Sequence, residues 1–113
     1  MEYNAKFPPP IKFCVDYNPT HAWQGDDYMG ASLKYIEMNL NNKGYKLVGC
    51  DLAGVNAFFV RDDLVEDKFL APFTAEKHYL PAKYYLVGGY TGHQATYKSV
   101  EKCLEACAKI SDE

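Results

Sequence analysis

The sequence predicts an α/β domain of the α+β kind: a small sheet built on an antiparallel hairpin, with two main helices packed beside it. Three observations carry that expectation. Met29, Leu33, Ile36 and Leu40 fall on one helical stripe. Two runs rich in strand formers, Tyr45 to Cys50 and Val55 to Val60, are joined by Asp51-Leu52-Ala53-Gly54, which reads as a hairpin. Val100, Cys103, Leu104 and Cys107 form a second helical stripe towards the C-terminus. At 113 residues there is room for one core, residues 1–113 forming a single domain. A chain of that size hides roughly 65% of its unfolded surface, enough without metal or disulfide staples.

In chain order, Pro8-Pro9-Pro10 forbids helix and interior pairing and marks an extended connector. Ile11, Phe13, Val15 and Tyr17 then alternate with Lys12, Cys14 and Asp16, the pattern of a half-buried strand that ends at Asn18-Pro19. A polar loop follows, and the first helix is expected to start with Asp26 or Asp27 as its N-cap. Lys43 and Gly44 suit its C-terminal end. The second hairpin run is apolar on both faces apart from Asn56, which predicts an interior strand in which Asn56 must find partners. Arg61-Asp62-Asp63 closes it, and a short helical turn is expected at Thr74 to His78. Tyr84 to Val87 reads as a brief strand before Gly88-Gly89, and the last helix as Tyr97 to Ile110, capped by Thr96 or Ser99. Leu33, Ile36, Leu40, Leu47, Phe59 and Leu104 are the expected core.

Composition excludes several classes. A formal charge of −3 with scattered lysines offers no cluster for phosphate contacts, so no nucleic-acid partner is expected. Apolar runs such as Ala57 to Val60 are too short to span a bilayer, so no membrane role is expected. The first residues carry neither a basic nor an apolar signal-peptide region, and the expected location is cytoplasmic. The four cysteines are expected as reduced, buried thiols, with no metal site.

No catalytic apparatus is complete in the sequence. Gly88 to His93 lacks the spacing and the Lys-Ser/Thr of a phosphate-binding loop and reads as a flexible turn. No G-x-G-x-x-G follows a strand, so no cofactor has a visible docking loop. Glu2, Asp16, Asp26 and Asp27 are carboxylates whose convergence sequence alone does not fix, and His21, His78 and His93 lie in loop-like stretches. The densest polar-aromatic stretch is Tyr17 to Tyr28, with His21, Trp23 and Asp27. Such a mixture suits recognition of a small polar ligand, or a loop that folds its tryptophan onto the core.

The ordered series Glu2-Tyr3-Asn4, Asp16-Tyr17-Asn18-Pro19, Trp23-x-Gly25-x-Asp27-Tyr28-x-Gly30-Ala31-Ser32-Leu33, Lys43-Gly44-Tyr45-x-Leu47-Val48-Gly49-Cys50 and Gly54 to Arg61 carries a resemblance. Together these segments resemble the C-terminal part of FkbM-like, Rossmann-fold S-adenosylmethionine-dependent methyltransferase-like proteins. The likeness covers residues 2 to 61 well and the rest loosely. It implies that Glu2-Tyr3-Asn4 ends the fifth strand of such a sheet and that the residue 28–43 helix is the crossover after it. The hairpin would supply strands six and seven, the antiparallel end. Glu2, Tyr3 and Asn4 would then face the substrate side, because ligands of open α/β sheets bind outside the carboxyl ends of the strands. With the polar-aromatic stretch, the substrate-binding candidates are Glu2, Tyr3, Asn4, His21, Trp23, Asp27, Tyr28, Asn56 and Arg61. The glycine-rich cofactor loop of the N-terminal half has no counterpart here. The implied cofactor, S-adenosylmethionine, would bind only if that half were supplied, and the chain alone is expected to be inactive. It reads as a truncated or excised piece, or a remnant, of a longer protein. A self-associating module, most simply a homodimer, and a small-ligand binder using residues 17–28 are the alternatives.

Overall fold

The computed structural model describes residues 1–83 and 96–111. It is a small α+β fold. Helix α1 (Leu33–Asn41) leads into strands β1 (Tyr45–Cys50) and β2 (Ala57–Arg61), followed by the short helices α2 (Asp62–Val65) and α3 (Ala75–His78), and by α4 (Tyr97–Ser111). The expected strand at Tyr84 to Val87 and the turn at Gly88 to His93 lie outside the described residues.

The hairpin is antiparallel, with Leu47 opposite Phe59 and an irregularity between Leu47 and Gly49. Its connection is longer than the sequence suggests. The Asp51 carboxylate accepts from the amides of Val55 (2.9 Å) and Asn56 (3.1 Å) and from the Asn56 side chain (3.0 Å). Those bonds hold the carboxyl below its usual range, the Val55 and Asn56 amides contributing most. Gly54 sits in the loop at φ +75°, where a Cβ would overlap the carbonyl of Pro81, so both backbone conformation and space call for glycine. On the other side of β2, Tyr3 donates to Val55 (2.9 Å) and Ala57 to Met1 (2.7 Å), with Glu2 bridged antiparallel to Asn56. Residues 1–3, β2 and β1 thus lie side by side.

One face of this sheet carries the main core. Leu33 and Ile36 of α1 pack with Leu47, Ala57, Tyr3, Ala5 and Ala75, and Leu40 and Phe59 lie partly buried at its edge. Glu37, buried on α1, accepts from the amide of Ala75 at 3.1 Å and so fastens α3 to α1. A second cluster stacks Phe7 on Phe13 at 3.8 Å, with Tyr28 edge-on and Cys103 of α4 against it.

Five expectations are corrected. Helix α1 begins at Leu33 and is capped by Ser32, not by Asp26 or Asp27. Gly30 at φ +57° keeps the preceding residues out of the helix, and Asp27 turns inward instead. Residues 11–17 form a single bridge, Cys14 to Ala31, rather than a strand. Their backbone bonds run instead to Gly30 and Ser32. The β2 strand is not buried on both faces: Phe58 is 52% exposed, because the core residues Ala57 and Phe59 share the opposite face. Helix α4 packs through Ser99, Cys103 and Ala106, leaving Leu104 66% exposed and Val100 and Cys107 outside. The bulky rings of the second cluster fill the space, so small side chains make the closest approach. Finally, the four cysteines form no disulfide, and none is fully buried.

Candidate functional site

The loop before α1 is held from both ends, and that holding accounts for two of the predicted site residues, Asn4 and Asp27. Asn4 is buried, and its side-chain amide donates to the carbonyls of Asp27 (2.8 Å) and Met29 (3.0 Å) while its oxygen accepts from Lys6 (3.1 Å). Both of its donors are therefore spent on shaping the loop. Asp27, also buried, accepts from the amide of Thr96 at 3.0 Å, immediately before α4. Thr96 caps that helix, receiving the Ser99 amide at 3.2 Å. A chain of three residues, Asn4, Asp27 and Thr96, so links the sheet edge, the loop and the last helix.

Glu2, Tyr3 and Asn4 line a cleft of about 300 Å³ with Met29, Gly30 and Gly54. Tyr3 is anchored at its far end, where the phenol donates to the Leu80 carbonyl at 2.6 Å. Burial pushes that phenol well above its usual value, with the Cys50 thiol nearby adding to the effect, so it stays a donor. The part of this trio left exposed at the cleft is Glu2.

A second, larger groove of about 400 Å³ runs between the loop and α4. Tyr28 forms its wall: the hydroxyl accepts from the Asp16 amide (3.0 Å), His21 meets the ring edge-on at 5.7 Å, and the Lys98 ammonium lies 5.5 Å from the ring centroid. Across the groove, Lys102 pairs with Asp16 at 2.6 Å and more loosely with Glu105 at 3.8 Å. Tyr17 stands at the edge of this groove, 92% exposed.

Four predicted residues line neither cleft: the buried Asp27, described above, and three others. Trp23 donates to the Asp26 carbonyl at 2.7 Å and remains 55% exposed, not folded onto the core. Asn56 is held in the hairpin connection by Asp51. Arg61 makes a two-pronged pair with Asp63 at the surface, both contacts 2.9 Å. Among the described residues no three His, Cys, Asp or Glu side chains come together to hold a metal, and His93 lies outside them. Sequence reasoning missed Lys98, Glu101, Lys102 and Glu105. Their alternating charges at helical spacing were the available signal, but nothing local says that this face meets residues 16–21.

The structure is a small α+β fold with two solvent-open recesses flanking one loop. No family model, curated protein or solved structure matches the chain.

Proposed function

We propose that this chain is the C-terminal, acceptor-side part of a methyltransferase-like sheet, acting in the cytoplasm. In this reading it shapes an acceptor pocket but carries no cofactor loop, and it is catalytically incompetent alone. An N-terminal half would bind S-adenosylmethionine. The observation that carries the reading is the antiparallel pairing of residues 1–3 with the start of β2. It sets residues 1–3, β2 and β1 side by side, an order compatible with the end of such a sheet, with α1 packed against them in the position of a crossover. In this reading residues 1–3 stand for the end of a strand, and the Glu2–Asn4 cleft would lie on the side where open α/β sheets bind their ligands.

The coding sequence upstream of Met1 tests this directly. An in-frame continuation through a strand, a glycine-rich turn and a helix is the expected result. An upstream sequence with no such turn contradicts it.

A further inference from the structure

We propose that the groove between residues 16–21 and α4 binds a neutral, ring-shaped polyhydroxylated ligand, a glycosyl unit. The groove shares no residue with the Glu2–Asn4 cleft, and the inference stands apart from methyl transfer. Its volume of about 400 Å³ lies in the range of small-molecule sites, roughly 300–1,000 Å³.

The ordinary reading of Lys98, Glu101, Lys102 and Glu105 is a solvated helix face laced by its own ion pairs. The pairing is incomplete in a particular way. Lys102 is satisfied by Asp16 and Glu105, whereas the Glu101 side chain makes no hydrogen bond or ion pair among the described residues. Lys98 engages only the Tyr28 ring face among them. One donor and one acceptor therefore stand three residues apart on α4, on the same side of the helix. A ligand of single charge would gain from one and be repelled by the other. Vicinal hydroxyls both donate and accept, so one sugar edge can give a proton to Glu101 and receive one from Lys98 at no net charge. Tyr17 supplies the remaining element, an aromatic face almost wholly in water at the rim. The C–H face of a sugar ring would cover it, and burial of that surface favours binding. A free amino acid satisfies the two charges but leaves the ring uncovered.

Nitrogen–proton correlation spectra of the full chain, titrated with a panel of methyl glycosides of hexoses, deoxyhexoses and pentoses, test this. At least one glycoside should shift the amides of Tyr17, His21, Lys98 and Glu101, with a dissociation constant of about 1 mM or tighter. Glu101→Gln and Tyr17→Ala, both at exposed positions, should each weaken it about tenfold, as loss of a charged hydrogen bond or of a stacking face implies. The β1 and β2 signals report whether each variant stays folded. Absence of shifts from every glycoside, an equal response to glycine or inorganic phosphate, or indifference to both substitutions overturns the proposal.

Discussion

Ser32 shows how much a single buried hydroxyl can organise. Its oxygen accepts from the Phe13 amide at 2.9 Å, donates to the Ile11 carbonyl at 2.7 Å and caps α1 by accepting from Tyr35 at 3.3 Å. Ser32→Ala removes the cap and strands a buried amide, so a loss of about 2–4 kcal/mol is expected from urea unfolding. A loss within the range of ordinary surface substitutions would show that another group takes over. His78 works on a different axis. Its Nε2 is buried and finds no hydrogen-bond partner among the described residues, while the ring bonds the Pro72 carbonyl. Burial, aided by the positive charge of Lys77, holds its pKa below the usual imidazole value. The unfolded chain therefore takes up a proton that the folded one resists. The His78 contribution is complete above the unfolded pKa of about 6.5 and is lost as pH falls through and below it. Unfolding curves at neutral pH and about one unit below the unfolded pKa should show His78→Gln flattening that fall. An identical fall in both proteins contradicts it.

Among the elements, α4 is the one whose placement depends on distant residues. It meets the rest of the chain through Ser99, Cys103 and Ala106, and its first turn is tied by Thr96 to Asp27. Asp27→Ala should cost about 1–3 kcal/mol and speed hydrogen exchange along Tyr97–Ser111 more than in β1 and β2. Uniform acceleration would mean that Asp27 supports the whole fold and not this junction. The same helix marks where reading the sequence succeeds and fails. The α1 stripe, the two hairpin runs and the short turn at residues 75–78 were legible because local periodicity and turn residues specify them. The buried face of α4 was not, since apolar Val100 and Leu104 lose to smaller residues once an aromatic cluster occupies the space. Residues 11–17 alternate properly, yet a strand needs a partner along its length, and among the described residues the only bridge is at Cys14. Asp27 looked like a helix cap because an aspartate before an apolar stripe usually is one. Its true partner lies 69 residues away.

At the scale of the whole molecule, much apolar surface is left open. Phe58 on the uncovered sheet face and Tyr97, Val100 and Leu104 along α4 are exposed. Exposed apolar side chains on two elements favour association, and identical chains most often pair by two-fold symmetry. Self-association as a dimer is the expected behaviour of the isolated chain. Sedimentation equilibrium at micromolar concentration should give twice the 12.8 kDa chain mass, and a monomer mass throughout would contradict it. The most direct measurement of the proposed function is calorimetric titration of S-adenosylmethionine into the chain alone and into the same chain joined to the N-terminal half that the proposal expects upstream. The account predicts no binding in the first and micromolar binding in the second. Micromolar binding by the chain alone, or none by the joined protein, would contradict it.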